Sequence, residues 1–369
     1  MKKLNANNER IKREYFEFLK EAKQLSEQTL DAVASAINRF EVYNKHKNFK
    51  AFYHGQAVGF KNQLSKQTNQ KTGKPLSKST IHAILVNLRN FFEWLYGRPG
   101  FKSRFKYSDA SYFNLSLKDV RVAQASNTKA PPTIEQVIHT LSRMPKNSAI
   151  ELRNRALVAF TLLTGARVGA LASAKLKHID LNAGLFMQDA KDVNTKFSKT
   201  FPTYFFQVND EVLQIVIDWI KYLKEELLWG EGDPLFPSTL IEVGESQHFE
   251  AAGLARRHWV STSPARRIFR EAFSKADLPN FNPHSFRNTL VQLGQDICQS
   301  PEQFKAWSQN LGHEKVLTTF LSYGAIASHR QAEILNGLTA IKSDDQVCDE
   351  ELVKAIIQGL RNSGMRRRS

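Results

Sequence analysis

Apolar residues recur every three or four positions along most of this chain, a period that admits helices and little else. Ile11, Tyr15, Phe18, Leu19 and Ala22 form one stripe, and Leu30, Val33, Ala34, Ile37, Phe40 and Tyr43 form the next. A third helix is expected over about 49–66. A fourth starts at the capping residues Ser79 and Thr80, carries Ile81, Ile84, Leu85, Leu88, Phe91, Phe92 and Leu95, and stops at Gly97, Pro99 and Gly100. Four such helices predict a small all-α bundle over residues 8–110.

Residues 105–131 read as polar and irregular and run into Ala130-Pro131-Pro132, which places a linker at 111–131. Beyond it, Thr133 and Gln136 make a capping box, a longer helix covers about 148–164 up to Gly165, and a short one follows at 167–174. The period drops to two only between Asp180 and Asp210, where 185–187 and 203–208 predict strands around a lysine-rich hairpin. Helices return at about 210–228, 263–276, 284–297, 301–310 and 314–322. The chain is therefore expected to be mainly α with a small antiparallel sheet. Its second domain is expected at 132–340, and 341–369 reads as a tail holding one amphipathic helix (Leu352, Ala355, Ile356, Leu360) and a basic end.

Hydrophobic residues at 41% are enough to build cores, which excludes a wholly disordered chain. Lys and Arg number 52 against 36 Asp and Glu, and this surplus of +16 points to a polyanionic partner. No apolar run approaches the roughly 18 residues that span a bilayer, and the N-terminus lacks an apolar signal core, so nucleic acid in a cytoplasmic setting is expected and no membrane partner. Two cysteines, Cys298 and Cys348, are too few for a disulfide framework or a zinc cluster. The motifs GxxxxGKS/T, GxGxxG and HExxH do not occur, and no cofactor is expected. The positive charge is concentrated, because 42–92 holds no Asp or Glu. Lys61, Lys66, Lys71, Lys74 and Lys78 from that stretch are expected to contact phosphates, and the polar loop 66–78 adds amide donors.

Five short signals follow one another in the second domain: Thr164-Gly165-Ala166-Arg167, a hairpin lysine, His284-Ser285-Phe286-Arg287, Leu311-Gly312-His313, and Tyr323. Transfer of a phosphodiester needs a nucleophile, donors aimed at the equatorial oxygens, and proton traffic at both apical oxygens. Arg167 and Arg287 suit the donor task, being permanently charged and able to grip a phosphate bidentately. His284 lies three residues before Arg287, so on a helix both face one phosphate. Tyr323 is the sole tyrosine after His313 and the candidate nucleophile. A phenol of pKa about 10 needs a base and cationic surroundings to attack.

This ordered set resembles the tyrosine recombinases, the phage-integrase type of DNA strand transferase, over about residues 133–340. The N-terminal bundle is similar in kind to that family's core-binding domain. The resemblance implies a site-specific recombinase that cuts and rejoins DNA through a 3′-phosphotyrosyl link with a free 5′-hydroxyl, independently of metal and ATP, in integration or excision of a mobile element. It implies that His284 manages the nucleophile's proton, that His313 donates to a non-bridging oxygen, and that a hairpin lysine protonates the leaving 5′-oxygen. The stretch Thr195-Lys196-Phe197-Ser198-Lys199-Thr200 resembles the family's TKxxK turn, which selects Lys196 and leaves Lys191 and Lys199 for phosphates. Double-stranded attachment sites, a homotetramer on them and accessory or directionality factors are the implied partners.

Two departures stand out. Tyr323 comes ten residues after His313 where many members show nine, and Ala170 holds the place, three after the first arginine, where members often carry an acid. Asp180 and Asp189 are candidates to replace that acid. Two other readings share these residues: a catalytically inactive DNA-binding relative with a regulatory role, and a type IB topoisomerase-like relaxing enzyme. The complete six-residue set argues against the first, and the N-terminal bundle and short hairpin against the second.

Overall fold

The computed structural model describes residues 4–69, 72–124, 130–243 and 247–313. They fall into two compact units that divide between Asn127 and Thr128.

The first unit is helical: α1 (Ala6–Glu17), α2 (Glu27–Tyr43), α3 (His54–Lys66), α4 (Lys78–Tyr96) and α5 (Leu117–Gln124). Ser26 and Ser77 cap α2 and α4, each side chain accepting the N–H three residues on. The helices close on an aromatic core. Phe40 meets Phe60, Phe92 and Phe113 edge to face at 5.4, 5.4 and 5.5 Å between ring centroids, and Phe52 stacks on Phe92 at 3.9 Å. Among the described residues of this unit Glu41 is the buried carboxylate, and it accepts from Asn8 Nδ2 (3.0 Å) and Lys12 Nζ (2.7 Å).

Two expectations change here. The helix expected from residue 49 begins as a 3-10 turn, Phe49–Ala51, and restarts at His54, because the Asn8 and Asn48 side chains take the N–H groups of Phe49 and Lys50. The stretch 111–131 is not all linker. Phe101, Phe105 and Phe113 are buried in the bundle core, and α5 is tied back to α4 by Lys78–Asp119 (3.0 Å) and by Ser79 Oγ donating to the Ala123 carbonyl (2.6 Å). Aromatic anchors in a polar stretch carry the bundle past residue 110.

The second unit holds α6 (Ile134–Arg143), α7 (Ala149–Thr164), α8 (Val168–Ser173), strands β1 (Ile179–Asp180), β2 (Leu185–Gln188) and β3 (Phe201–Tyr204), α9 (Asp210–Lys221), strands β4 (Ser238–Val243) and β5 (Phe249–Ala255), α10 (Ser263–Lys275), α11 (Ser285–Ile297) and α12 (Pro301–Asn310). Capping boxes open α6 at Thr133 and α7 at Ser148. α7 is buried along nearly its whole length and forms the axis of the main core. β1, β2 and β3 form an antiparallel meander, with Phe186 opposite Thr203. The strand expected over 203–208 is shorter. Phe205 and Phe206 leave the sheet to enter two different cores, and the Phe206 N–H donates to the Leu163 carbonyl at 2.7 Å. β4 and β5 form a separate two-stranded ribbon that the periodicity did not predict. The helix expected at 314–322 and the 341–369 tail lie outside the described residues. Among the described residues no helix is long and apolar enough to cross a membrane.

The bundle core makes the first prediction. Phe92→Ala removes a fully buried ring that packs on six aromatic neighbours, and is expected to cost about 3–5 kcal/mol in the urea unfolding of this unit. A loss under about 1 kcal/mol would show that the ring cluster is not the unit's core.

Candidate active site

α7 ends at Thr164, and Gly165 turns the chain in the left-handed region, φ +57°. Glycine is required there twice over. A Cβ at 165 would stand 2.8 Å from Leu311 Cδ2 and 2.9 Å from Leu290 Cδ1, so α11 and the end of α12 approach the turn closely. Ala166 tucks into the core and Arg167 follows as the extended N-cap residue of α8.

Arg287 lies in the first turn of α11 and is 3% exposed. Its Nη1 donates to the Gly165 carbonyl at 2.7 Å, and its Nη2 donates to the Leu311 carbonyl and to His313 Nε2, the latter at 3.0 Å. One guanidinium therefore ties the Arg167 turn to the Leu311-Gly312-His313 segment. Guanidinium N–H groups only donate, so Nε2 of His313 accepts and the ring proton is assigned to Nδ1. The Arg287 Nε–H has no partner among the described residues. Burial and then the like charge of Arg167 push Arg287 down to about 9, which still leaves it charged at neutral pH.

The histidine segment is docked on the sheet. Asn310 accepts from the Tyr204 N–H (2.7 Å) and donates to the Tyr204 carbonyl (2.8 Å). Gly312, φ +69°, lies so near the Phe201 ring that a Cβ would meet it at 2.6 Å. Asn310 was not singled out by the sequence, and its position directly before Leu311 is the only signal it leaves.

His284 forms the N-cap of α11, three residues from Arg287 as the spacing predicts. The residue is exposed to solvent. Partial desolvation, and then the charges of Arg287, Arg167 and Lys196, hold its pKa below the ordinary value. His313 is pushed down further, to about 4, by burial and then by Arg287, Arg167 and His284. Arg167, His284, Arg287 and His313 thus lie within one another's fields, and Lys196 lies within that of His284. Lys196 opens the 3-10 turn Lys196–Ser198 in the β2–β3 connection. Lys191 is exposed and Lys199 half-exposed on the same connection.

Tyr323 and Lys71 lie outside the described residues. Asp180 and Asp189 are engaged locally: Asp180 accepts from the N–H groups of Asn182 and Ala183, and Asp189 from Lys191 N–H and Thr200 Oγ1. Ala170 is buried in the core. In the first unit Lys66 and Lys74 are exposed, Lys61 reaches the Tyr112 carbonyl at 3.4 Å, and Lys78 pairs with Asp119. Among the described residues no three His, Cys, Asp or Glu side chains gather as metal ligands.

Comparison with known proteins adds to this geometry. Residues 133–329, more than half of the chain, match the phage integrase family, and residues 13–98 match the phage integrase N-terminal SAM-like domain. The chain is 25% identical over 273 residues to tyrosine recombinase XerC of Lactobacillus leichmannii, which covers 71% of this chain and 77% of that protein. It is 22% identical over 315 residues to tyrosine recombinase XerC of Treponema denticola, covering 83% and 90%. Among solved structures, a lambda integrase dimer bound to a COC′ core site has a TM-score of 0.56 at 15% identity, covering 92% of this chain and 99% of that one. The Tn1549 transposon integrase in complex with transposon right end DNA has a TM-score of 0.58 at 15% identity, covering 88% and 98%. These two share the fold.

The depressed histidines set a pH dependence. An unfolded histidine titrates near 6.5, whereas folded His313 titrates near 4, so the unfolded chain takes up the proton first. Its contribution to stability is full above the unfolded value and is lost as pH falls toward the folded one. The melting temperature of the chain is expected to drop between about pH 7.5 and about pH 5, and to drop less in His313→Asn. Equal drops in the two proteins would show that His313 is not held neutral.

Proposed function

Because the chain belongs to the phage integrase family, we propose that it is a site-specific DNA recombinase acting through a 3′-phosphotyrosyl intermediate, in integration or excision of a mobile DNA element. The observation that carries this reading is the convergence of Arg167, His284, Arg287 and His313, with Lys196 beside His284, from segments far apart in the chain. Such a cluster of cations and neutral imidazoles suits a phosphodiester gathering negative charge.

In the proposed reaction the Tyr323 oxygen attacks the scissile phosphorus and its proton passes to His284, whose lowered pKa leaves the ring neutral and able to accept. Arg167 and Arg287 hold the non-bridging oxygens; the Nε–H of Arg287, which has no protein partner among the described residues, is a donor open to that task. His313 contributes its Nδ1–H, since Nε2 is occupied by Arg287. The P–O5′ bond breaks, and the leaving oxygen takes a proton from Lys196. One phosphodiester replaces another, so a 5′-hydroxyl can reverse the step without a metal or ATP. Strand exchange between two duplex attachment sites requires four such centres, hence a homotetramer on DNA, with accessory factors setting direction. Lys66, Lys74, Lys191 and Lys199 are proposed to contact phosphates.

A nicked suicide duplex, carrying a site selected by the full chain from random duplexes, tests the reading. A covalent, SDS-resistant adduct is expected from the wild type, none from Tyr323→Phe, and about a hundredfold slower formation from Arg287→Lys. An adduct formed by Tyr323→Phe would overturn the choice of nucleophile. The logarithm of DNA affinity is expected to fall against log salt with a slope of roughly −0.9 per phosphate neutralised. A flat dependence would overturn the role given to the basic surface.

A further inference from the structure

The connection that carries Lys196 is fastened to the end of α8 and the residues just beyond it through Asp192 and Asn194. Asp192 accepts from Lys175 Nζ at 2.6 Å and pairs with Lys177 Nζ at 2.5 Å, both lysines lying just beyond α8. Val193, between Asp192 and Asn194, is buried in the main core, to which Ala170 and Leu171 of α8 also belong. The Asn194 N–H donates to Ser173 Oγ at 2.8 Å, and a Cβ on Gly169 would meet the Asn194 carbonyl at 3.2 Å. His178 joins the cluster: its Nδ1 accepts from the Lys175 N–H, which puts the ring proton on Nε2, 3.7 Å from the Asp192 carboxylate.

α8 itself carries no charged side chain, so its electrostatic tie to the connection comes entirely from these flanking residues. The first residue before α8 is Arg167, and the second residue after Asn194 is Lys196. The two lysines hold the Asp192 carboxyl well below the usual carboxylate range. Surface pairs of this partly exposed kind add little to global stability. Their consequence is local: they fix where the following turn sits, and a misplacement of about 1 Å at a reacting group can cost a hundredfold in rate.

We propose that Asp192, clamped between Lys175 and Lys177, is a positioning residue for Lys196, holding the hairpin turn so that this ammonium meets the leaving oxygen beside Arg167 and His284. The proposal rests on the recombinase reading above, in which Lys196 is the proton donor.

The test compares wild-type full chain, Asp192→Asn, Asp192→Glu and Lys196→Ala on two suicide duplexes that differ in one atom. In one the scissile phosphate has its ordinary 5′-bridging oxygen, in the other a 5′-bridging sulfur. When the P–S bond breaks the electron pair leaves on sulfur as a stable thiolate, so no proton donor is needed. Asp192→Asn is expected to form the adduct at least about tenfold more slowly than wild type on the oxygen duplex and within about threefold of it on the sulfur duplex, the pattern also expected of Lys196→Ala. Asp192→Glu is expected to restore part of the rate on oxygen, and DNA affinity and melting temperature to stay at the wild-type values. A wild-type rate for Asp192→Asn on oxygen would overturn the proposal. So would equal slowing on both duplexes, failure of sulfur to restore Lys196→Ala, or tighter DNA binding with unchanged cleavage, which would make Asp192 a brake on Lys175 and Lys177 as phosphate contacts. Absence of any adduct from the wild type on either duplex would instead overturn the recombinase reading, and this assignment with it.

Discussion

The buried guanidinium of Arg287 is the interaction on which the site depends. Taking a charge out of water costs several kcal/mol unless its donors find acceptors, and here two backbone carbonyls and an imidazole nitrogen take N–H groups of Nη1 and Nη2 while the Nε–H is left for a ligand. Those acceptors belong to the turn after α7 and to the segment after α12, so the cost of burial is offset only when both segments are in place. A cationic anchor of this kind makes assembly of the site all or nothing. It also shapes the electrostatics, since burial and then its charge and that of Arg167 lower the pKa values of His284 and His313.

Small residues make that anchor possible. Gly165 and Gly312 both adopt left-handed backbone and both lie against side chains that leave no room for a Cβ. The first admits Leu290 and Leu311, the second the Phe201 ring, and together they bring α11, the end of α12 and the sheet onto one turn. The sheet, though only three short strands, thus has two duties: its connection bears Lys196, and its last strand grips Asn310. On the first unit the aromatic bundle plays a comparable supporting part, giving a rigid base to the acid-free stretch that carries the lysines.

How much could be read beforehand depended on range. The pairing of His284 with Arg287 was legible because they are three residues apart at a helix start, and in the structure the charge of Arg287 acts on the His284 ring. The capping box at Thr133 was legible for the same reason, being a pair of local hydrogen bonds. The β4–β5 ribbon was not, because it is largely exposed along both strands and has no apolar face to write a period of two. α5 was missed because it buries no residue and so leaves no stripe. Asp192 was passed over in favour of Asp180 and Asp189, since nothing near it in sequence shows that Lys175 and Lys177 fold back onto it.

Sequence by itself determined the helical class, the two-part organisation, and the residue types that a phosphodiester chemistry would need, because each is written in spacings of a few residues. Tertiary structure alone decided what those residues do for one another. The acceptors of Arg287 lie 122 and 24 positions away, and the ion pair beside the Lys196 turn spans 17. Contacts of that range leave no periodic trace in a chain; they exist only once the cores have closed and the carbonyls left over at helix ends need donors.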